Sequence, residues 1–273
     1  MPEKMRVVRR PEGEPNYHIF YQLLSGADSD LRRSLGLESL SEPNLFMTPL
    51  QRSEDRQKAG IAWARIRAAL DVLGVSPEEQ SAIWSVLAAI YHLGTAGAAR
   101  AAMGNKFQFS KPGSAQRAAN LLGTSVEEMA RSIFYSTPTT PSSRASFRTT
   151  SPTERPTERP EGLEALEGMA TGLYSEAFNA IVALINRCIS TSAHTSNSIL
   201  VVDAPGFQNP ASCGRTSGAT FQDLCHNYTQ ERFQMLFHDT TFTAQTDRYA
   251  QVGKNVQKKK KKVMCDLTKK KKV

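Results

Sequence analysis

Ile199-Leu200-Val201-Val202-Asp203-Ala204-Pro205-Gly206-Phe207-Gln208 decides how this chain is read. Its first four residues, aliphatic and mostly β-branched, have the makeup of a strand buried on both faces. A strand ending in D-x-x-G sets a carboxylate, Asp203, and a glycine N–H, Gly206, where a magnesium ion and a terminal phosphate can meet them. Glycine suits that place because the backbone can approach a phosphate with no side chain in the way. The same residues also read as a plain Pro205-Gly206 turn after a strand. Four residues do not separate the two readings, so the surrounding sequence has to.

Upstream, residues 163–189 carry Leu166, Met169, Leu173, Tyr174, Phe178, Ile181, Val182 and Ile185 at three- and four-residue steps, which predicts one long, well-buried helix. Residues 136–160 are Ser, Thr, Pro and Arg with a near repeat of Pro-Thr-Glu-Arg, and read as a solvated, disordered surface loop. Thr124 with Glu127 has the capping-box signature of a short helix running towards Phe134. Ser76-Pro77-Glu78-Glu79 opens a longer one, because the Ser hydroxyl can cap a free N–H, Pro fits the first turn and Glu79 completes the box. Ile83, Trp84, Leu87, Ile90 and Tyr91 line its apolar face up to Gly94, the expected C-terminal cap. Residues 57–73 place Ile61, Trp63, Ala64, Ile66 and Leu70 on one side of another helix. Downstream of the opening stretch, residues 220–242 set Phe221, Leu224, Cys225, Tyr228, Met235, Leu236 and Phe242 in helical register.

A chain of 273 residues, 40% hydrophobic and 22% charged, is long enough to bury one or two cores. The net charge of +8 is confined to one end. Residues 251–273 hold ten lysines against one acid, Asp266, a balance of +9 that leaves the first 250 residues near −1. With a neutral body, and no aromatic residues among those lysines, a nucleic-acid partner is not expected. The runs 258–262 and 269–272 read as a nuclear localisation signal, an anionic-lipid patch, or a run-on terminus without structural information. Cys188, Cys213, Cys225 and Cys265 show no C-x-x-C spacing, and the five histidines show no ligand spacing, so neither a zinc site nor a redox dithiol is indicated. A reduced, intracellular chain is expected. Residues 1–10 are charged without an apolar run, so no signal peptide is expected, and no stretch is expected to span a membrane.

Several blocks, in order and at compatible spacing over residues 3–250, resemble the myosin motor domain. Asn16-Tyr17-His18-Ile19-Phe20-Tyr21-Gln22-Leu23-Leu24 is similar to the family's N-[FY]-H-I-F-Y-Q-L-L, and residues 86–94, V-L-A-A-I-Y-H-L-G, to its V-L-A-A-I-x-H-L-G. Leu173-Tyr174, Phe178 and Ile185-Asn186 fit the long helix before switch II, and Asp203-Ala204-Pro205-Gly206-Phe207-Gln208 stands in the place of D-I-x-G-F-E. Phe221, Leu224-Cys225, Asn227-Tyr228-Thr229, Glu231 and Phe237 resemble the relay helix. Pro205 with Gln208 in switch II, and the run from Cys225 to Gln230, resemble class XVIII of the family.

The resemblance implies a fold that is mainly α with a few strands: an incomplete α/β, P-loop-type motor domain made of the upper actin-facing subdomain, the switch II strand and the relay helix. Residues 1–250 would be the partial motor domain and 251–273 a disordered lysine-rich tail. It implies ATP and Mg2+ in the complete motor, with Asp203 facing the metal through water and Gly206 offering its N–H to the terminal phosphate. No G-x-x-x-x-G-K-[ST] occurs, and the glycine-rich stretch 94–104 lacks GK[ST], so no cofactor is expected for this chain alone. The implied partners are actin filaments, met by Arg144, Arg148, Arg155 and Arg159 of the surface loop unless that loop is a class-specific linker, and the rest of a dimeric heavy chain. A cytoplasmic, cytoskeletal setting follows. Enzymatic activity stays open, because the family's glutamate pairs with a switch I arginine and Gln208 cannot. Losing a charge-assisted pair costs on the order of 1.5–3 kcal/mol, a tenfold or greater loss in rate. The alternative is a GTPase-like nucleotide-binding fragment with the same D-x-x-G, against which stands the absence of a guanine-reading N-K-x-D.

Overall fold

The computed structural model describes residues 3–10, 14–40, 42–101, 107–135, 161–190, 197, 199–216 and 218–251. The surface loop 136–160 with its four arginines, and the lysine tail beyond 251, lie outside the described residues. The chain divides into two compact units, one spanning Glu3–Ser198 and the other Ile199–Val273.

The first unit is built on helix α4 (Pro77–Ala96). Its start is the capping box expected from the sequence: Glu79 N–H donates to Ser76 Oγ at 3.3 Å and Ser76 N–H to Glu79 Oε2 at 3.0 Å. From Leu87 onward nearly every side chain is buried, because other elements cover α4 all round. Gly94, expected to end the helix, sits inside it. A Cβ there would lie 2.5 Å from Asn44 Oδ1 and 2.7 Å from Phe46, so glycine admits the 44–46 segment against the helix. The cap is Gly97, whose φ of +58° only glycine adopts freely.

Helix α1 (His18–Gly26) crosses α3 (Ser53–Val72) at Gly26, where a Cβ would stand 2.4 Å from Trp63 Cβ. Trp63 meets Trp84 of α4 with ring centroids 4.5 Å apart, while Ile61, assigned to the same apolar side, is exposed. Asn16 ties this corner together, donating to Val7 O at 2.7 Å and to Phe46 O at 3.0 Å while its Oδ1 accepts from Tyr17 N–H. The short α2 (Ser29–Ser34) is N-capped by Asp28. After α4 an antiparallel hairpin, β1 (Ala98–Arg100) with β2 (Phe107–Phe109), pairs Ala98 with Phe109. Then come α5 (Pro112–Leu121), α6 (Val126–Ala130) and a π turn, Arg131–Tyr135. The box that starts α6 is Ser125 with Glu128, one residue on from the pair expected, because Ser125 takes the extended capping conformation.

Helix α7 (Glu161–Ile189) is single and long, as its periodicity requires, but it is not buried along its length. Leu166, Ala170 and Tyr174 enter the core, whereas Phe178, Val182 and Ile189 are exposed. By length and composition its stretch 162–189 could cross a membrane, which corrects the expectation that no stretch reaches a span. A core helix can have the same length and composition, and Leu166, Ala170 and Tyr174 of this one are buried in the core.

The second unit contains a 3-10 turn (Pro210–Cys213), helix α8 (Phe221–His238), a π turn (Asp239–Thr243) and α9 (Ala244–Gln251). The strand expected at 199–202 is absent. Ile199 is 95% exposed and Val201 83%, and the only ladder among the described residues is β1 with β2. A strand exists through its neighbours, and β-branched composition alone does not create one. The remaining architecture is mainly helical with one small sheet, in keeping with the fold class expected.

Candidate functional site

The loop carrying the D-x-x-G residues lies along α8 and is held there by side-chain amides. Asn227, in the second turn of the helix, pairs with the backbone of Gln208 in both directions: Gln208 N–H donates to Asn227 Oδ1 at 2.6 Å and Asn227 Nδ2 donates to Gln208 O at 3.0 Å. One helical step on, Gln230 Nε2 donates to Pro205 O at 2.6 Å. Residues i and i+3 share a helix face, so both amides reach the same segment. Gln208 then folds its own side chain back, Nε2 donating to Gly206 O at 2.8 Å.

A second lock fixes the first turn of α8. Thr220 caps the helix and Asp223 closes a capping box, with Thr220 N–H donating to Asp223 Oδ2 at 2.7 Å and Asp223 N–H to Thr220 Oγ1 at 3.2 Å. Arg215 reaches the same carboxylate through two guanidinium nitrogens, at 3.0 and 3.1 Å, and both side chains are buried. The Arg215 hydrogen bond, together with those from Thr220, holds the Asp223 carboxyl down at about 2. The segment 209–220 is thereby pinned at both ends, by Asn227 near its start and by Arg215 near its finish.

Between these locks, Gly206 is open. Its φ lies outside the left-handed region, and nothing stands within 4 Å of where a Cβ would be. Neither conformation nor crowding requires glycine here. Its N–H makes no hydrogen bond among the described residues. In a trans peptide the N–H points opposite the carbonyl, so the bond from Gln230 to Pro205 O turns the Gly206 N–H away from α8. Asp203 and Phe207 are exposed, Ala204 and Pro205 half-buried. These residues fit one wall of a magnesium-nucleotide site: an exposed carboxylate and a free N–H three residues apart. Magnesium in such a site is held largely by the nucleotide's phosphates and water, with one or two carboxylates, so Asp203 is the one ligand that this loop would offer.

The sequence reading found the loop and missed what holds it. Asn227 enters the resemblance as part of the relay helix and of the class XVIII run, and Gln230 as part of that run alone, although two amides at i and i+3 beside a Pro-Gly turn are a recognisable signal for backbone anchoring. Arg215 carried no signal, because its partner lies eight residues away across an irregular segment.

Comparison with known proteins gives the family. The profile of the myosin head (motor domain) matches residues 1–273, and the chain belongs to that family, whose members are actin-linked cytoskeletal motors using ATP and Mg2+. Its kinship lies with unconventional myosins of class XVIII. It is 45% identical over 253 residues to unconventional myosin-XVIIIa of Mus musculus, covering 90% of this chain and 12% of that protein. It is 43% identical over 264 residues to unconventional myosin-XVIIIb of Homo sapiens, covering 93% and 10%. Myosin-1 of Arabidopsis thaliana is 29% identical over 253 residues, covering 92% and 20%. The chain thus spans about a tenth of the length of its class XVIII relatives.

Proposed function

We propose that residues 1–250 form the switch II and upper actin-facing part of a class XVIII motor that tethers actin filaments and turns over ATP slowly. In the complete motor the Gly206 N–H would meet the terminal phosphate and Asp203 the magnesium ion through water, while Ala204, Pro205 and Phe207 shape the turn between them. The observation that carries this reading is the state of Gly206: a glycine with an unused N–H, turned away from α8, where neither φ nor a neighbour calls for one. Glycine costs roughly 0.5–1 kcal/mol of chain entropy, so its reason here lies in what approaches it.

The same reading makes Gln208 a weak point for catalysis, because an amide forms no ion pair with a switch I arginine. It assigns Arg144, Arg148, Arg155 and Arg159 to acidic actin, in a cytoplasmic, cytoskeletal setting and within a dimeric heavy chain, and it leaves 251–273 outside the motor fold. The chain alone should not hold ATP usefully, because it supplies one wall only. Calorimetry with Mg·ATP tests this. We expect micromolar binding by a motor completed upstream of Met1, its loss on Gly206→Ala, and no binding by the 273-residue chain. Micromolar binding by the chain itself, or full affinity in the completed Gly206→Ala motor, would overturn the reading.

A further inference from the structure

We propose that Gln208 is a positioning residue: its side-chain amide, donating to Gly206 O at 2.8 Å, latches the peptide that follows Gly206, so that with Gln230 holding the peptide that carries the Gly206 N–H this glycine is fixed on both sides. The inference rests on the reading of Gly206 given above and deepens it. Glycine is the residue least able to hold its own φ and ψ, so a glycine that must aim an N–H needs both flanking peptide groups held from outside. The one before it is held by Gln230 at Pro205 O. The one after it, whose carbonyl is Gly206 O, is held by Gln208 and by no other side chain among the described residues. Gln208 can do this because its own backbone is fixed in both directions by Asn227, which makes the latch an extension of α8 and not a loose side chain.

The chemistry demands a donor. A carboxylate accepts hydrogen bonds and donates none, so a glutamate at 208 would turn two acceptors towards each other and leave Gly206 O open. The amide is therefore more than a lost ion-pair partner. It exchanges a closing contact with a distant arginine for a local contact that holds the Gly206 carbonyl.

The sequence contains a single Gly-Phe pair, Gly206-Phe207, so labelling glycine with 13C at the carbonyl and phenylalanine with 15N yields one resonance that reports the Gly206 carbonyl in the 273-residue chain. In the unmodified protein this carbonyl should resonate downfield, as a hydrogen-bonded one does, and hold its position between about pH 4 and 7, since no carboxyl is in the latch. Gln208→Met, of similar length and without a donor, should move it upfield at every pH. Gln208→Glu should match the Met variant at neutral pH and return towards the unmodified position as the new carboxyl gains a proton below about pH 4.3, where it can donate again. A side chain that merely packed against the loop would produce no such titration. A Gln208→Met resonance coincident with the unmodified protein, or a Gln208→Glu resonance that does not titrate, would overturn the latch. Because no nucleotide is present, that failure is distinct from failure of the phosphate reading, which calorimetry on the completed motor decides.

Discussion

Phe20, Leu23, Ile90 and Leu93 in the unit Glu3–Ser198 are sealed from solvent, whereas Phe221, Leu224 and Tyr228, on one helix of the unit Ile199–Val273, are 81%, 62% and 65% exposed. Both regions have the apolar periodicity of a helix, and among the described residues it is the first that buries most of it. Its order comes from area removed from water, on the order of 1.5–3 kcal/mol for each large apolar side chain. The second is ordered by a few polar contacts: the Arg215–Asp223 pair, the Asn227 clasp, and the bonds from Gln230 and Gln208. A region built this way can hold a loop in one pose while contributing little to stability of the whole, which suits a segment that answers to a ligand.

The contrast can be broken first at its exception. Arg215→Ala leaves the buried Asp223 carboxylate without its cation and should cost on the order of 3–5 kcal/mol locally, seen as loss of hydrogen-exchange protection across α8. Protection left intact would mean that the capping box suffices. In the core, Leu93→Ala should destabilise by about 2–5 kcal/mol, while Leu224→Ala on α8 should stay within about 0.5 kcal/mol. Urea unfolding followed at Trp63 and Trp84, the only tryptophans and both in the first unit, reads the Leu93 variant, and hydrogen exchange across α8 reads the Leu224 variant. Equal costs would erase the distinction between the regions.

Acid should act on the two units at different pH. Burial pushes the His92 imidazole below its ordinary 6.5; its Nε2 bond to Leu35 O at 2.8 Å opposes this, Arg117 lowers it further and Glu42 opposes. A depressed folded value means the contribution of His92 is complete above about 6.5 and fades as pH falls below it. Asp223, held at about 2 against an ordinary 3.8, contributes fully above about 4 and loses that only between about 4 and 2. Taking the protein from pH 7 to 5 should therefore weaken the tryptophan-reported unit and leave the protection factors at the N-terminus of α8, measured against the intrinsic exchange rate at each pH, unchanged. A small effect, of opposite sign, is expected for Gly206→Ala in the chain alone. With no positive φ and no neighbour to strike, it should be neutral or stabilising by about 0.4–1 kcal/mol in thermal unfolding.

Those outcomes trace where the sequence was legible. Ser76 with Glu79 named the start of α4 because a capping box is local chemistry, readable from four residues. Gly94 was read as a cap because, in sequence, a glycine that ends a helix and one that admits a neighbour look alike. Only the approach of Asn44 and Phe46 distinguishes them. Residues 199–202 were read as a strand because composition records preference, whereas a ladder requires a partner segment. Within the site, Asp203, Gly206 and Gln208 were legible as a motif, while the anchors Asn227, Gln230 and Arg215 were not, since their role depends on how an irregular loop runs across a helix.

Steady-state ATPase of a motor completed upstream of Met1, with and without actin filaments, tests the account most directly, in the unmodified protein and in Gln208→Glu. We expect nucleotide to bind and turnover in the unmodified protein to stay at least tenfold below the roughly 10 per second typical of enzymes, with actin adding little. Gln208→Glu should accelerate turnover where the restored switch I carries an arginine and weaken nucleotide binding where it does not. Actin-stimulated turnover near 10 per second in the unmodified protein would contradict the account.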